Sequence, residues 1–137
     1  MARILSIDYG RKRTGLAVTD PLQIIASGLA TVSTSELFEW LKAYVGREAV
    51  ELIVMGEPRQ LDGSPSENLA RVQQFVSRWR KAMPQVPIEY FDERFTSVLA
   101  HQAMLDGGLR KKARQDKALV DEISATIILE DYLRSRK

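Results

Sequence analysis

The stretch Arg3 to Asp20, RILSIDYGRKRTGLAVTD, constrains this chain more than any other. Ile4, Leu5 and Ile7 lead to Asp8, Gly10 supplies a turn, Arg11, Lys12 and Arg13 form a basic tip, and an apolar run resumes from Gly15 to Val18. A short β-branched run, a polar turn and a second apolar run read as a hairpin. Its first strand ends by delivering one carboxylate. The rest of the chain can therefore be read for acids that could join Asp8.

At 137 residues the chain is expected to form one domain, residues 1–137, large enough to bury a substantial core. A hydrophobic share of 45% beside 28% charged residues describes a globular chain and argues against disorder. The opening MARILSID reaches Asp8 before a signal-like segment can form, and no uncharged stretch suits a bilayer. A cytoplasmic protein without membrane contact is expected. With no cysteine and the single histidine His101, disulfides, thiolate sites and histidine-rich zinc centres are excluded. Any metal must be held by oxygen, which points to Mg2+ or Mn2+.

The net charge of +2 says little about a partner, but its distribution says more. Arg11, Lys12 and Arg13 form one basic knot. Arg110, Lys111, Lys112, Arg114 and Lys117 form another, opposed only by Asp116. Two such patches suit a phosphate backbone, although either alone also reads as a solvated loop.

After the hairpin, Ile24 to Val32 reads as a third strand. Ser33 and Glu36 form a capping box for a helix with Leu37, Trp40, Leu41, Tyr44 and Val45 on one face. Val50 to Met55 is a buried strand, and Glu57 to Gly63 a polar loop. Ser64, Pro65 and Glu67 open a second helix with the stripe Leu69, Val72, Val76, Trp79 and Met83. Ile88 to Phe91 is a fifth strand ending in Asp92-Glu93-Arg94. Thr96 caps a helix running to Gly107-Gly108, and a last helix starts near Lys117. Trp40, Phe75 and Trp79 lie at helical spacing, as core residues do. An opening meander followed by alternating strands and helices predicts an α/β fold. It has a five-stranded mixed sheet, antiparallel through strands one to three, with helices on both faces. Right-handed crossovers then gather the carboxyl ends of strands one, four and five along one edge.

Asp8, Glu57, Asp92, Glu93 and Asp121 are the acids this topology can bring together. Acids inside a basic surround suit metal-assisted phosphodiester hydrolysis. Each also has a structural reading. Asp8 can be a turn aspartate and Glu57 an exposed loop residue. Asp92 and Glu93 can pair with Arg94 or sit near the start of the Thr96 helix. Asp121 borders the apolar face of the last helix, where a charge needs either a metal or a salt bridge. Arg59 and Arg94 follow strand ends, where they can hold phosphate oxygens or pair with Glu57 and Asp92. His101 has no acidic partner nearby in sequence.

SIDYGRKRTGLAVTD resembles the opening motif of the YqgF family of ribonuclease H-like proteins, known as pre-16S rRNA nucleases and as Holliday-junction resolvases. MGEPRQLDGSPSE, FDERFTS and KALVDEISATIILEDYL continue the likeness in order across nearly the whole chain. The resemblance implies a ribonuclease H-like fold, with Asp8, Glu93 and Asp121 as the metal-binding catalytic acids. It also implies cleavage at the 5′ end of pre-16S rRNA, with DNA-junction resolution as the older assignment. Glu57 stands where the family usually has an apolar or neutral residue, so it is either an extra ligand or a neutral variation. Ser124 stands in place of the usual alanine.

The leading expectation is a Mg2+- or Mn2+-dependent nuclease on structured RNA, working as a monomer or homodimer. Arg11, Lys12, Arg13, Arg59, Arg94, Arg110, Lys111, Lys112 and Arg114 would hold phosphates. The alternatives are a DNA-junction resolvase, which needs a dimer, and a factor that binds pre-ribosomal RNA without cutting it. ATP-dependent relatives with a similar strand-one motif need two such domains, and this chain offers one.

Overall fold

The computed structural model describes residues 2–58, 67–92 and 117–136. Five strands, β1 (Arg3–Tyr9), β2 (Arg13–Thr19), β3 (Ala26–Ser33), β4 (Val50–Glu57) and β5 (Ile88–Asp92), form one sheet. Their order is β3-β2-β1-β4-β5. β1, β4 and β5 are mutually parallel, whereas β2 runs antiparallel to both of its neighbours, β1 and β3. The carboxyl ends of the three parallel strands therefore share one edge, beside the start of β2.

Side chains alternate across a strand, and here the alternation divides two cores. Leu5 and Ile7 of β1, Leu16 and Val18 of β2, and Ile53 and Met55 of β4 face α1 (Leu37–Arg47) and α2 (Leu69–Ala82). These helices contribute Leu37, Phe38, Leu41 and Tyr44, and Val72, Phe75, Val76 and Trp79. Ile4, Ala17 and Val54 face the other way, onto Ala125, Ile128 and Leu129 of the last helix, α3 (Lys117–Ser135). Leu5, Ile7, Ile53 and Met55 are wholly enclosed, each contributing roughly 1.5–3 kcal/mol by leaving water. Trp79 is wholly buried too, its indole donating to the Val86 carbonyl at 3.1 Å. Phe75 is buried as expected of a core residue, whereas Trp40 is only partly buried, stacked on Tyr44 and packed against the edge of the core.

Three expectations about element starts are corrected. α2 begins at Leu69 with Asn68 at its N-cap, so Glu67 stands before the helix and not in its first turn, while Ser64 and Pro65 lie outside the described residues. Residues 24 and 25 do not belong to the third strand, which begins at Ala26. Asp20 accepts the amides of Leu22, Ile24 and Ile25 and curls this segment, with Gln23 at φ 59°. Ile24 and Ile25 are left exposed. Nor does Ser33 cap α1 with Glu36: Thr34–Glu36 form a 3-10 turn whose Ser33 makes no side-chain cap, and α1 starts at Leu37. Thr34 is committed elsewhere, its amide to the Lys12 carbonyl and its hydroxyl to the Gly10 carbonyl. Docking against the hairpin turn wins over the local capping box. The expected helix from Thr96 to Gly107 and the basic loop after it lie outside the described residues. Among the described residues no helix is long and apolar enough to cross a membrane.

Candidate active site

Asp8 is the next-to-last residue of β1, opposite Gly15 of β2. Ile4 packs beneath α3 and the Ser6 hydroxyl donates to the Ala125 carbonyl at 2.6 Å, so the even positions of β1 face α3. Asp8 continues that series. Cross-strand partners project to the same face, so Gly15 does as well. It lies so close to α3 that an added Cβ would run into the Asp121 carbonyl. The missing side chain at Gly15 lets the helix settle against the hairpin, and Asp8 and Asp121 both lie beside it. Positions more than a hundred residues apart in sequence thus share one corner of the carboxyl edge.

Asp121 carries a cationic partner. Arg13 Nε donates to its Oδ2 at 3.1 Å, with both side chains partly exposed. Arg13 therefore turns toward the acids, whereas Arg11 and Lys12 are exposed on the turn. Two further contacts brace that turn. The Thr34 hydroxyl donates to Gly10 at 2.7 Å, which leaves the Thr14 hydroxyl to donate to Thr34 at 2.9 Å. From the other side, Asn68 Nδ2 donates to the Tyr9 carbonyl at 2.7 Å, while its buried Oδ1 accepts no hydrogen bond among the described residues.

The alternation also sorts the remaining acids. Glu57 follows Ile53 and Met55, so it belongs to the series facing α1 and α2, and its register partner is Asp92. Its charge acts on the Tyr90 hydroxyl, which burial chiefly, together with Glu57, pushes above the usual phenol range. Glu89 and Phe91 occupy the α3 side of β5, where Tyr132 touches both. Glu57 and Asp92 are thereby placed across the sheet from Asp8 and Asp121. Glu93, Arg59, Arg94, Arg110, Lys111, Lys112 and Arg114 lie outside the described residues, as does His101.

Sequence reasoning missed Ser6, Thr34 and Asn68. Ser6 carries a readable signal, being a hydroxyl inside the apolar run Ile4 to Ile7 that needs a partner once buried. Nothing local singles out Thr34 or Asn68.

The donors at this corner are carboxylate oxygens, a hard set that fits Mg2+ or Mn2+ and not a soft metal. Among the described residues alone, no group of three acids or histidines is arranged to hold an ion.

A family model described as "RuvX: Holliday junction resolvase" matches residues 2–135. A "Putative pre-16S rRNA nuclease" of Phocaeicola vulgatus is 62% identical, covering all of this chain and 99% of its own. Proteins of the same description from Parabacteroides distasonis and Flavobacterium johnsoniae are 58% and 55% identical over the whole chain, covering 98% and 99% of theirs. Among solved structures, Thermus thermophilus RuvC in complex with a Holliday junction substrate has a TM-score of 0.59 at 18% identity, covering 99% of this chain and 96% of that one. The fowlpox virus Holliday junction resolvase has a TM-score of 0.55 at 13% identity, covering 98% and 99%. These structures share the ribonuclease H-like fold of the resolvases, with its mixed five-stranded sheet.

Proposed function

The chain belongs to the RuvX family, and from that membership we propose that it is a metal-dependent nuclease, one domain over residues 1–137, that trims the 5′ end of pre-16S rRNA in the cytoplasm. The observation carrying this reading is the convergence of Asp8 and Asp121 on Gly15, at the edge where the parallel strands end.

Asp8, Asp121 and Glu93 are the proposed ligands of Mg2+ or Mn2+. Glu93 is the next odd-numbered position after Glu89 and Phe91, the pair that faces α3, which supports it over Asp92. When bound, divalent ions supply Lewis acidity to the phosphodiester and to the attacking water. Asp8 is carried on the strand ladder and the backbone of Asp121 is held by the packing of α3, so the two positions stand together before any ion binds. Arg13 holds the Asp121 carboxylate, and a bound ion would compete with it for that charge. Arg11 and Lys12, on a braced turn, are placed to take backbone phosphates, and Arg59, Arg94, Arg110, Lys111, Lys112 and Arg114 are proposed to extend that contact. Glu57, across the sheet, is assigned no metal. Trimming RNA requires a single copy of the chain, whereas resolving a four-way DNA junction requires two.

The test is a manganese-dependent cleavage assay on RNA carrying the 5′ leader of pre-16S rRNA, with a four-way DNA junction for comparison. Cutting of the RNA should fall at least about a hundredfold in Asp8→Asn while RNA binding persists. Undiminished cutting by that variant would refute the mechanism. Preferential cutting of the junction would return the chain to the resolvase reading.

A further inference from the structure

On the opposite side of the sheet from Asp8, a cleft of about 270 Å³ opens between the end of β1, the start of α1 and the outer face of α2. Its walls include Tyr9, Ser35, Phe38, Arg71, Gln74 and Arg78, and among the described residues no acid lines it. Arg71, Gln74 and Arg78 sit at helical spacings of three and seven, which brings them onto one stripe of α2. The two arginines form no ion pair among the described residues. Arg78 lies over Phe38, its guanidinium carbon 3.8 Å from the ring centroid, a cation–π contact that restrains the side chain at the wall of the cleft. Arg71 is near enough for its charge to act on the Tyr9 hydroxyl. Burial holds that phenol above its usual range, and it remains an O–H donor at neutral pH.

The cleft thus assembles two guanidiniums, a phenol, a serine hydroxyl and an amide around one volume, a donor set that matches a phosphate and repels no part of it. Tyr9 directly follows Asp8, with the two side chains on opposite faces of the same strand end. A nucleic-acid strand passing over that end would meet the acids on one side and the cleft on the other. Phe38 and Phe75 are about 8% exposed, too enclosed to offer a ring face to a base. Recognition here is of the backbone.

We propose that this cleft binds a backbone phosphate of single-stranded RNA flanking the cleaved bond, a subsite distinct from the basic tip of the hairpin. The proposal rests on the RNA nuclease reading above, and binding separates the two because it is measured without cleavage.

Wild type and the double variant Arg71→Gln, Arg78→Gln are titrated in EDTA by fluorescence anisotropy. One probe is an RNA hairpin with a 5′ single-stranded leader, and the other is the same hairpin without it. Wild type should prefer the leader probe about tenfold, and the double variant should lose that preference. The slope of log affinity against log salt should fall by about 0.7 for each phosphate that the variant no longer holds. A control, Arg47→Gln with Lys81→Gln, removes the same charge outside the cleft and should keep the preference. Equal preference in wild type and double variant overturns the inference, and so does a loss matched by the control. ATP binding below about 10 µM that disappears in the double variant would make a free nucleotide the occupant and overturn the strand. A wild type that keeps the leader preference yet cuts no RNA refutes the nuclease reading and leaves the subsite standing.

Discussion

Arg13 donates its Nε hydrogen to Asp121 Oδ2 at 3.1 Å, joining the first residue of β2 to the last helix across 108 positions of sequence. Both side chains keep solvent contact, so the pair belongs to the class worth roughly 0.2–1 kcal/mol. Its value to the fold is small, and its position beside a proposed metal ligand matters more. A guanidinium on that carboxylate competes with a cation for the same charge.

Arg13→Gln should therefore lower thermal stability by only a few degrees and reduce the magnesium concentration giving half-maximal cleavage severalfold. A magnesium titration of the cleavage rate checks this. A rise in the midpoint would mean that Arg13 holds Asp121 in its liganding position rather than competing for it.

Gly15 and Gly28 both face α3 with different clearances. A Cβ at Gly15 would strike the Asp121 carbonyl, which as backbone cannot yield without lifting the helix. A Cβ at Gly28 would meet Glu122 and Thr126 at 3.6–3.7 Å, ordinary contact. Gly15→Ala should cost about 1–3 kcal/mol or more, lowering the melting temperature by roughly 3–5 °C per kcal/mol, and should remove cleavage by displacing Asp121. Gly28→Ala should leave both nearly unchanged. Calorimetry of the pair with a cleavage assay decides it, and equal effects would refute the argument from clearance.

How much of this was legible in the sequence depended on how local each feature is. The hairpin and its terminal Asp8 follow from a few adjacent residues, and β4 and α2 follow from periodicity, so the sheet and its helices were readable. Asp121 drew notice because a charge beside an apolar stripe needs a partner, and of the two readings open for it, a metal or a salt bridge, the second is the ion pair that Arg13 supplies. What could not be read is register between distant elements. The two-residue repeat that sends Glu57 with Met55, away from Asp8 and toward α1 and α2, becomes meaningful only once β4 is aligned beside β1. The capping box at Ser33 failed for the same reason, because the partners of Thr34 are Gly10, Lys12 and Thr14, which no local pattern reveals.

Those partners make Thr34 a brace for the basic tip. Its hydroxyl both accepts from Thr14 and donates to Gly10, and Thr14 is wholly buried. Thr34→Val keeps the shape and strands the Thr14 hydroxyl and the Gly10 carbonyl. A loss of about 1–3 kcal/mol is expected in urea unfolding. With Arg11 and Lys12 less constrained, RNA affinity should also weaken severalfold in EDTA. A variant of native stability would show that the relay contributes nothing net.

At the opposite edge of the sheet, Asp20 organises residues 20 to 25. Its carboxylate accepts the Ile25 and Ile24 amides at 2.8 Å and that of Leu22 at 3.1 Å. These bonds, Ile25's first, hold the carboxyl below its ordinary value of 3.8. A carboxyl with a lowered folded pKa binds fewer protons folded than unfolded between the two values, so its contribution is complete above 3.8 and lost as pH falls through the folded pKa. Asp20→Asn cannot be ionised and lacks this dependence. The stability gap between wild type and variant, taken from urea midpoints, should be constant from pH 7 down to about 5 and narrow below pH 3.8. A gap that stays constant through that window would mean that the loop is held by its backbone geometry, with Gln23 in the left-handed region, and not by the charge on Asp20.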